Sequence, residues 1–333
     1  MTPLEQKLNP HLFEKEVEQV PIRKGFGEGL LRAGEVDDRV VGLCADLTES
    51  TQMHLFKKKF PERFIEIGVA EQNLASVASG MARMGKIPFI TSYAMFSPGR
   101  NWEQIRTTIC YNDVPVKIAG SHAGISVGPD GGTHQAIEDI AILRAIPNMT
   151  IISPCDAHEA RKATLLAART AEPTYIRLAR EKTPVITTEE TPFEIGKAQV
   201  LWRPPTGSAE VVIIATGALV HKALVTARDL LKQKIGAAVV NVSTIKPLDT
   251  KTLFPLIEKA RAVVTVEEHQ IIGGLGSAVA EFTSREIPVP IEFVGVEDRF
   301  GQSGTPDELL EYYGMGVKDI FLAVKKVLSR KRK

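Results

Sequence analysis

Short apolar runs and helix-length amphipathic stretches take turns along almost the whole chain, and this alternation restricts the fold more than any other property. The runs Val40–Ala45, Phe64–Ile67, Pro88–Thr91, Val116–Ala119, Thr150–Ser153 and Thr174–Leu178 have strand length and are largely apolar on consecutive residues. Strands of a parallel sheet, buried on both faces, read this way. Helical patterns lie between them. Leu74, Val77, Ala78, Met81 and Ala82 follow the i, i+3, i+4, i+7, i+8 rule, and Gly85 is placed to stop the helix. Asp156 and Glu159 have the spacing of a capping box, opening a helix that runs to about Arg169. The expected class is therefore α/β, with mostly parallel sheets covered by helices.

A second series of strand-like runs, Val211–Ala215, Ala237–Val242, Ala262–Glu267 and Ile291–Val296, follows a Thr-, Glu- and Pro-rich stretch, Thr183–Thr191, and a turn cluster at 203–208. Both stretches read as linkers. A length of 333 residues accommodates two domains. The expected division is an N-terminal extension over 1–20, a first domain over 21–190 and a second over 191–333.

Charge and cysteine usage exclude several function classes. With 41 basic and 40 acidic residues the net charge is +1, which gives no field for nucleic acid or a membrane surface. The basic tail, Lys325–Lys333, reads as a frayed, solvated helix end. Cys44, Cys110 and Cys155 form no C-x-x-C pair, so buried, reduced thiols are expected rather than disulfides or a zinc site. No apolar run approaches the ~18 residues of a membrane helix. The early acidic residues Glu5, Glu14, Glu16 and Glu18 do not suit a signal peptide. A soluble cytoplasmic protein is the expectation.

Two segments carry chemistry. In Gly68–Asn73 the run Phe64–Ile67 turns into a helix with Glu71 in its first turn. Such a carboxylate often does no more than complement the helix dipole. The loop at 120–135, reading G-S-H-A-G-I-S-V-G-P-D-G-G-T-H-Q, makes a larger role plausible on chemical grounds. It packs His122, His134, Asp130 and five glycines into sixteen residues, at a strand end where open α/β sheets bind ligands. Gly273-Gly274-Leu275-Gly276 is too short for a dinucleotide fingerprint and reads as the tight start of a helix, with Glu267 or Glu268 at a subunit contact.

The series G-V-A-E-Q-N, S-Y-A-M-F-S, S-H-x-G-I-S-V-G-P-D-G-G-T-H-Q, S-P-C-D-A-H-E, I-K-P-L-D and V-E-E-H-Q-x-x-G-G-L-G resembles transketolases from their pyrimidine-binding domain onward, covering nearly the whole chain from about residue 20. The resemblance implies a thiamine diphosphate enzyme that transfers a two-carbon ketol unit between sugar phosphates through a thiamine ylid. Glu71 would hydrogen-bond N1′ of the aminopyrimidine and so activate the cofactor. Tyr93 and Phe96 match the aromatics that stack on that ring, though core packing would also explain them. Where the family often has a third aromatic, this chain reads Ser97-Pro98-Gly99-Arg100-Asn101-Trp102. Asp130 matches the position that binds a sugar hydroxyl and His134 the one beside the reacting carbon. His122, Arg23, Ser50 and Arg180 match positions that hold the substrate phosphate, for which arginine forks are suited. Asp46 matches an aspartate beside the cofactor; a turn cap is its other reading.

No Gly-Asp-Gly with a following Asn motif occurs in the sequence. In the family the diphosphate and Mg²⁺ are held by an N-terminal domain. The resemblance thus implies a C-terminal subunit whose site is completed by a separate N-terminal-half subunit carrying the Mg²⁺, with no metal held on this chain. Pairing would give an α2β2 assembly, and a homodimer for the chain by itself. Two other readings stay open: the β subunit of a thiamine-dependent 2-oxoacid dehydrogenase decarboxylase, and a non-catalytic sugar-phosphate-binding relic.

Overall fold

The computed structural model describes residues 7–205 and 207–331; Glu5, Thr206 and the last two residues of the basic tail lie outside the described residues. Strands β1 (Gln19–Pro21), β2 (Val40–Cys44), β3 (Phe64–Glu66), β4 (Ile87–Tyr93), β5 (Lys117–Ser121), β6 (Thr150–Ile152), β7 (Thr174–Arg177) and β8 (Lys182–Pro184) come first. They are followed by β9 (Gln199–Trp202), β10 (Val211–Ala215), β11 (Ala237–Asn241), β12 (Thr244–Lys246), β13 (Val263–Gln270) and β14 (Ile291–Val296). One sheet has the order β12-β6-β7-β5-β4-β2-β3, the other β14-β13-β10-β11-β9, and β1 pairs with β8 in a short ribbon. Both sheets are mostly parallel, with β12 and β9 as antiparallel edge strands. Helices cover them, as the alternation predicts. β2, β5, β7, β10 and β11 are buried at every residue, which is why they read as continuous runs.

Register sets the site. Cys44 is level with Glu66 on one side and Thr91 on the other, and Tyr93 is level with Ser121. The C-terminal ends of β2 to β5 therefore fall along one edge of the first sheet, where such sheets place ligands.

Several expectations need correction. β12 crosses from beyond residue 190 to pair with β6, so no single cut in the chain separates the two sheets. The Thr183–Thr191 stretch is tied down rather than loose. β8 takes up its first two residues, and the Asp156 carboxylate accepts from the backbone N–H groups of Ile186 and Thr187 and from the Thr187 hydroxyl. Asp156 does cap the helix Ala157–Ala167 through the N–H of Glu159, at 2.9 Å. Glu159 does not return the contact. It is buried, and it takes donors from Cys155 N–H (2.6 Å), Ser243 Oγ (2.7 Å) and Asn241 Nδ2 (2.9 Å) instead. The tail is not frayed where it is described: the helix Val317–Arg330 buries Ile320, Val324 and Val327, while Lys326 and Arg330 pair with Glu292. The three cysteines are buried and free. Among the described residues no helix is long and apolar enough to cross a membrane.

Candidate active site

The turn between β3 and the helix Glu71–Arg83 is built by Glu66. Its Oε1 accepts the N–H groups of Asp46 (2.7 Å) and Gly68 (3.0 Å), and its Oε2 the Thr48 hydroxyl (3.0 Å). One carboxylate thus joins the loop after β2 to the loop after β3, and Gly68 supplies the positive φ of 79° that the turn requires. Sequence reasoning missed Glu66; the available signal was an acidic residue closing an apolar strand. Asp46 sits in the linked loop, exposed, with φ 56°.

Glu71 follows as the first helical residue and is 1% exposed. Its Oε1 accepts from the buried Ser92 hydroxyl and its Oε2 from Arg100 Nη1, each at 3.0 Å. Asn101 Nδ2 donates to its main-chain carbonyl, also at 3.0 Å. An open groove of about 530 Å³ begins at this carboxylate and is lined by Val69, Gln72, Asn73, Ser76, Arg100 and Gln104. Arg100 lies 5.2 Å from the centre of the Phe96 ring, so a guanidinium occupies the neighbourhood where a third aromatic was in question. Its role was also missed in the sequence, because its contact to Glu71 spans 29 residues.

Tyr93, at the end of β4, and Phe96 are half-buried rather than core residues, their rings 6.3 Å apart and 16° from parallel. His122 stacks on Tyr93 at 3.9 Å. His134 meets Phe96 edge-on at 5.5 Å and Tyr93 at 6.4 Å. The two histidines and the two aromatics therefore form one cluster.

A cationic corner adjoins it. Arg23 donates to the carbonyls of Arg180 (3.1 Å) and Ser50 (2.5 Å). Ser50 thus meets Arg23 through its main chain. Arg180 donates to Val127 O at 2.6 Å and lies 3.7 Å from Asp130 Oδ1. Burial and then the neighbouring Arg180 lower the Arg23 pKa below its ordinary value. His122, 2% exposed, is pushed down to about 3 by burial and then by Arg23, Arg180 and His134. At neutral pH its ring is uncharged, so the charge of this corner comes from the two arginines. Chemically, the arrangement offers a forked anion site, a carboxylate and an imidazole beside it for hydroxyls, a pair of aromatic faces, and a buried carboxyl at the end of a groove. Among the described residues no group of three or more His, Cys, Asp or Glu side chains could hold a metal ion.

Gly273–Gly276 opens the helix Leu275–Glu286 as read, and the anion at its N-terminus is internal. Glu267 accepts the N–H groups of Leu275 and Gly276, both at 2.7 Å, while burial pushes its pKa up to about 7. Glu267 and Glu268 are 1% and 4% exposed, so neither is at a subunit contact. A carboxylate that deep must be satisfied inside its own chain.

Comparison with known proteins agrees with this geometry. The transketolase pyrimidine-binding domain model matches residues 18–185, and the transketolase C-terminal domain model matches residues 196–320. A putative transketolase C-terminal section of Methanocaldococcus jannaschii is 44% identical over 94% of this chain and 96% of its own. A 6-deoxy-6-sulfo-D-fructose transketolase subunit of a Clostridium species is 40% identical over 96% of this chain and 98% of its own. Human transketolase is 35% identical over 94% of this chain, which spans 50% of its length. Among solved structures, a split-gene transketolase described as an inactive β4 tetramer superposes with a TM-score of 0.87 at 44% identity, covering 94% of this chain and 100% of its own. The transketolase of Campylobacter jejuni has the same fold, with a TM-score of 0.80 at 24% identity over 95% of this chain and 50% of its own.

Proposed function

This chain belongs to the transketolase family, and from that premise we propose that it is the C-terminal subunit of a split transketolase, active only when a separate N-terminal-half subunit completes the site. The observation that carries the reading is Glu71, a carboxyl buried at the first turn of its helix and bonded to Arg100, whose guanidinium lies over Phe96 of the Tyr93–Phe96 ring pair.

These residues fit the aminopyrimidine end of thiamine diphosphate. Both Glu71 oxygens already have donors, so a contact to N1′ requires one donor to leave. Arg100, whose side chain is 49% exposed, is free to swing out, whereas Ser92 is buried. Thiamine diphosphate held there would supply the carbon nucleophile and the electron sink that cleavage of a ketose C2–C3 bond requires. Glu71, buried in its own chain, would hold a proton at the pyrimidine nitrogen. Tyr93 and Phe96 offer ring faces for stacking, and Asp46 borders the cofactor. His134 exchanges a proton with the hydroxyl next to the reacting carbon, and Asp130 orients a neighbouring hydroxyl. Arg23 and Arg180 hold the phosphate by charge, with His122 and Ser50 as neutral partners. A site built to bond hydroxyls rejects analogues that lack them.

The diphosphate and its Mg²⁺ are assigned to the partner subunit, in an α2β2 assembly. The inactive β4 tetramer of the solved relative supports self-association without turnover for the isolated chain, in place of or beyond the simple homodimer. The test is ketol transfer from xylulose 5-phosphate to ribose 5-phosphate with thiamine diphosphate and Mg²⁺. The chain is assayed by itself and mixed with the N-terminal-half subunit from the same source. Activity in the mixture only is expected. Silence in a mixture shown to assemble refutes the proposal and brings forward the decarboxylase subunit, checked by pyruvate consumption with an artificial electron acceptor.

A further inference from the structure

The loop that carries Asp130 and His134 is closed at its base by Gly124 N–H donating to Ala136 O at 2.8 Å, and Arg180 holds it at Val127 O. Between β5 and residue 139 it contains little regular structure beyond a short helical segment, Ile125–Asp130, broken at Gly128. The second unit adds support at two further places. At the start of the loop, Glu268 on β13 accepts the N–H of Ser126 at 2.6 Å, and a Cβ added at Gly124 would overlap the same carboxylate. Further along, the segment Gly301–Gly304 lies flat against Gly128–Gly132. A Cβ at Gly132 would come within 2.6 Å of Gly301 O, and one at Gly131 within 2.7 Å of Ser303 Oγ.

Gln135 fastens the two segments together. Its Nε2 donates to Ile125 O and to Gln302 O, both at 3.0 Å, so one buried amide bonds the sugar loop to itself and to the second unit. A Cβ at Gly301 would overlap Gln135 Oε1. Gly301 is not among the residues with positive φ, so an alanine there acts through this overlap and not through backbone strain.

We infer that the C-terminal domain positions the substrate-binding loop, with Gln135, Glu268 and Gly301 as positioning residues that set where Asp130 and His134 stand. None of the three needs to touch the sugar. The inference rests on the proposed function for what the loop binds, but not for how the loop is held. Backbone placement matters at this level, since a misplacement of about 1 Å at a reacting group can cost roughly 10²-fold in rate.

The experiment has two arms. In the first, hydrogen exchange of the peptide spanning 124–135 is followed in the full chain for wild type, Gly301→Ala and Gln135→Ala. Gly80→Ala serves as control, because a Cβ there meets nothing within 4 Å. Faster exchange over 124–135 in both variants, with the helix Glu71–Arg83 unchanged in both and the loop unchanged in the control, is expected. Unchanged loop exchange in a folded Gln135→Ala overturns the inference, whether or not Gly301→Ala folds. In the second arm, the assembled enzyme is assayed for kinetics and for thiamine diphosphate affinity. A rise of about tenfold or more in KM for the ketose phosphate, or an equivalent fall in kcat, with cofactor affinity within twofold of wild type, is expected. Loss of cofactor affinity in step with turnover marks general destabilisation and overturns it. If the wild-type assembly has no ketol transfer, the functional reading falls and the exchange arm decides the positioning by itself.

Discussion

Asp139→Ala should be among the most destabilising single substitutions in this chain, and the structure gives its size. Asp139 is 1% exposed, and its Oδ2 accepts from Tyr175 OH at 2.7 Å and from Arg177 Nε at 2.9 Å. Arg177, itself 7% exposed, also donates through Nη2 to Glu268 O at 2.9 Å and to Ala136 O at 3.2 Å. The triad therefore joins the foot of the 120–135 loop to the second unit. Burial pushes the Asp139 carboxyl up, but Arg177, His269 and the hydrogen bonds outweigh it, and the net pKa lies below the ordinary value. Each lost bond to a charged group is worth about 1.5–3 kcal/mol, which for the two gives roughly 3–6 kcal/mol. Removing one partner of a buried ion pair costs about 3–5 kcal/mol by an independent route, because the remaining charge stays buried. A loss of about 3–5 kcal/mol is expected, read from the shift of the urea unfolding midpoint by circular dichroism. The double variant Asp139→Leu/Arg177→Met removes the unpaired charge but leaves the Tyr175 hydroxyl and the Ala136 and Glu268 carbonyls without these partners, so it should recover only part of the loss. A loss below about 1 kcal/mol for the single variant would mean that Arg177 finds water or another partner, and the energetic reasoning would fail.

The other predictions concern the site and the seam. Glu71→Gln in the assembled enzyme should lower turnover by at least ~10²-fold with the fold intact by circular dichroism; turnover within a few-fold of wild type would remove Glu71 from its role. His122, with its pKa lowered to about 3, should show a neutral ring by NMR from pH 5.5 to 8, and a titration near 6.5 would contradict the burial argument. Because its folded pKa lies below the unfolded value near 6.5, the unfolded chain takes up a proton that the folded ring refuses. His122 thus destabilises the fold progressively as pH falls from about 6.5 towards 3, and the buried His269, lowered to about 4, acts in the same direction. His122→Gln should flatten the acid side of the melting-temperature profile. Glu267→Ala should unfasten the start of the helix Leu275–Glu286 and cost at least the ~1 kcal/mol of an ordinary cap, measured by thermal unfolding; no change would mean water replaces the carboxylate.

What the sequence revealed and what it hid divide along a physical line. Periodicity reports on neighbours two to four residues away, and so the buried parallel strands and the Glu71 helix were legible. Glu71, His122, Asp130 and His134 stood out as candidates because 68–73 and 120–135 concentrate polar and glycine residues locally, and the structure brings the two histidines together with Tyr93 and Phe96. Arg100, Gln135 and Glu268 owe their roles to distant partners, 142 residues away for Glu268 with Ser126 and 167 for Gln135 with Gln302, and no local pattern encodes such a pairing. The reach of Glu159 into the second unit and the pairing of β12 with β6 were hidden for the same reason. Even so, one signal was present and was misread. β13 runs Val263-Val264-Thr265-Val266 and then Glu267-Glu268-His269, with every one of these seven residues buried. Ionisable groups that continue a strand buried on both faces must be met by donors and acceptors within the fold. An outer surface would instead have ended the apolar run, so the Glu-Glu-His sequence marks a seam between units of the same chain. Here that seam is the one that holds the 120–135 loop, through Glu268 at Ser126 and through Arg177 at the Glu268 carbonyl.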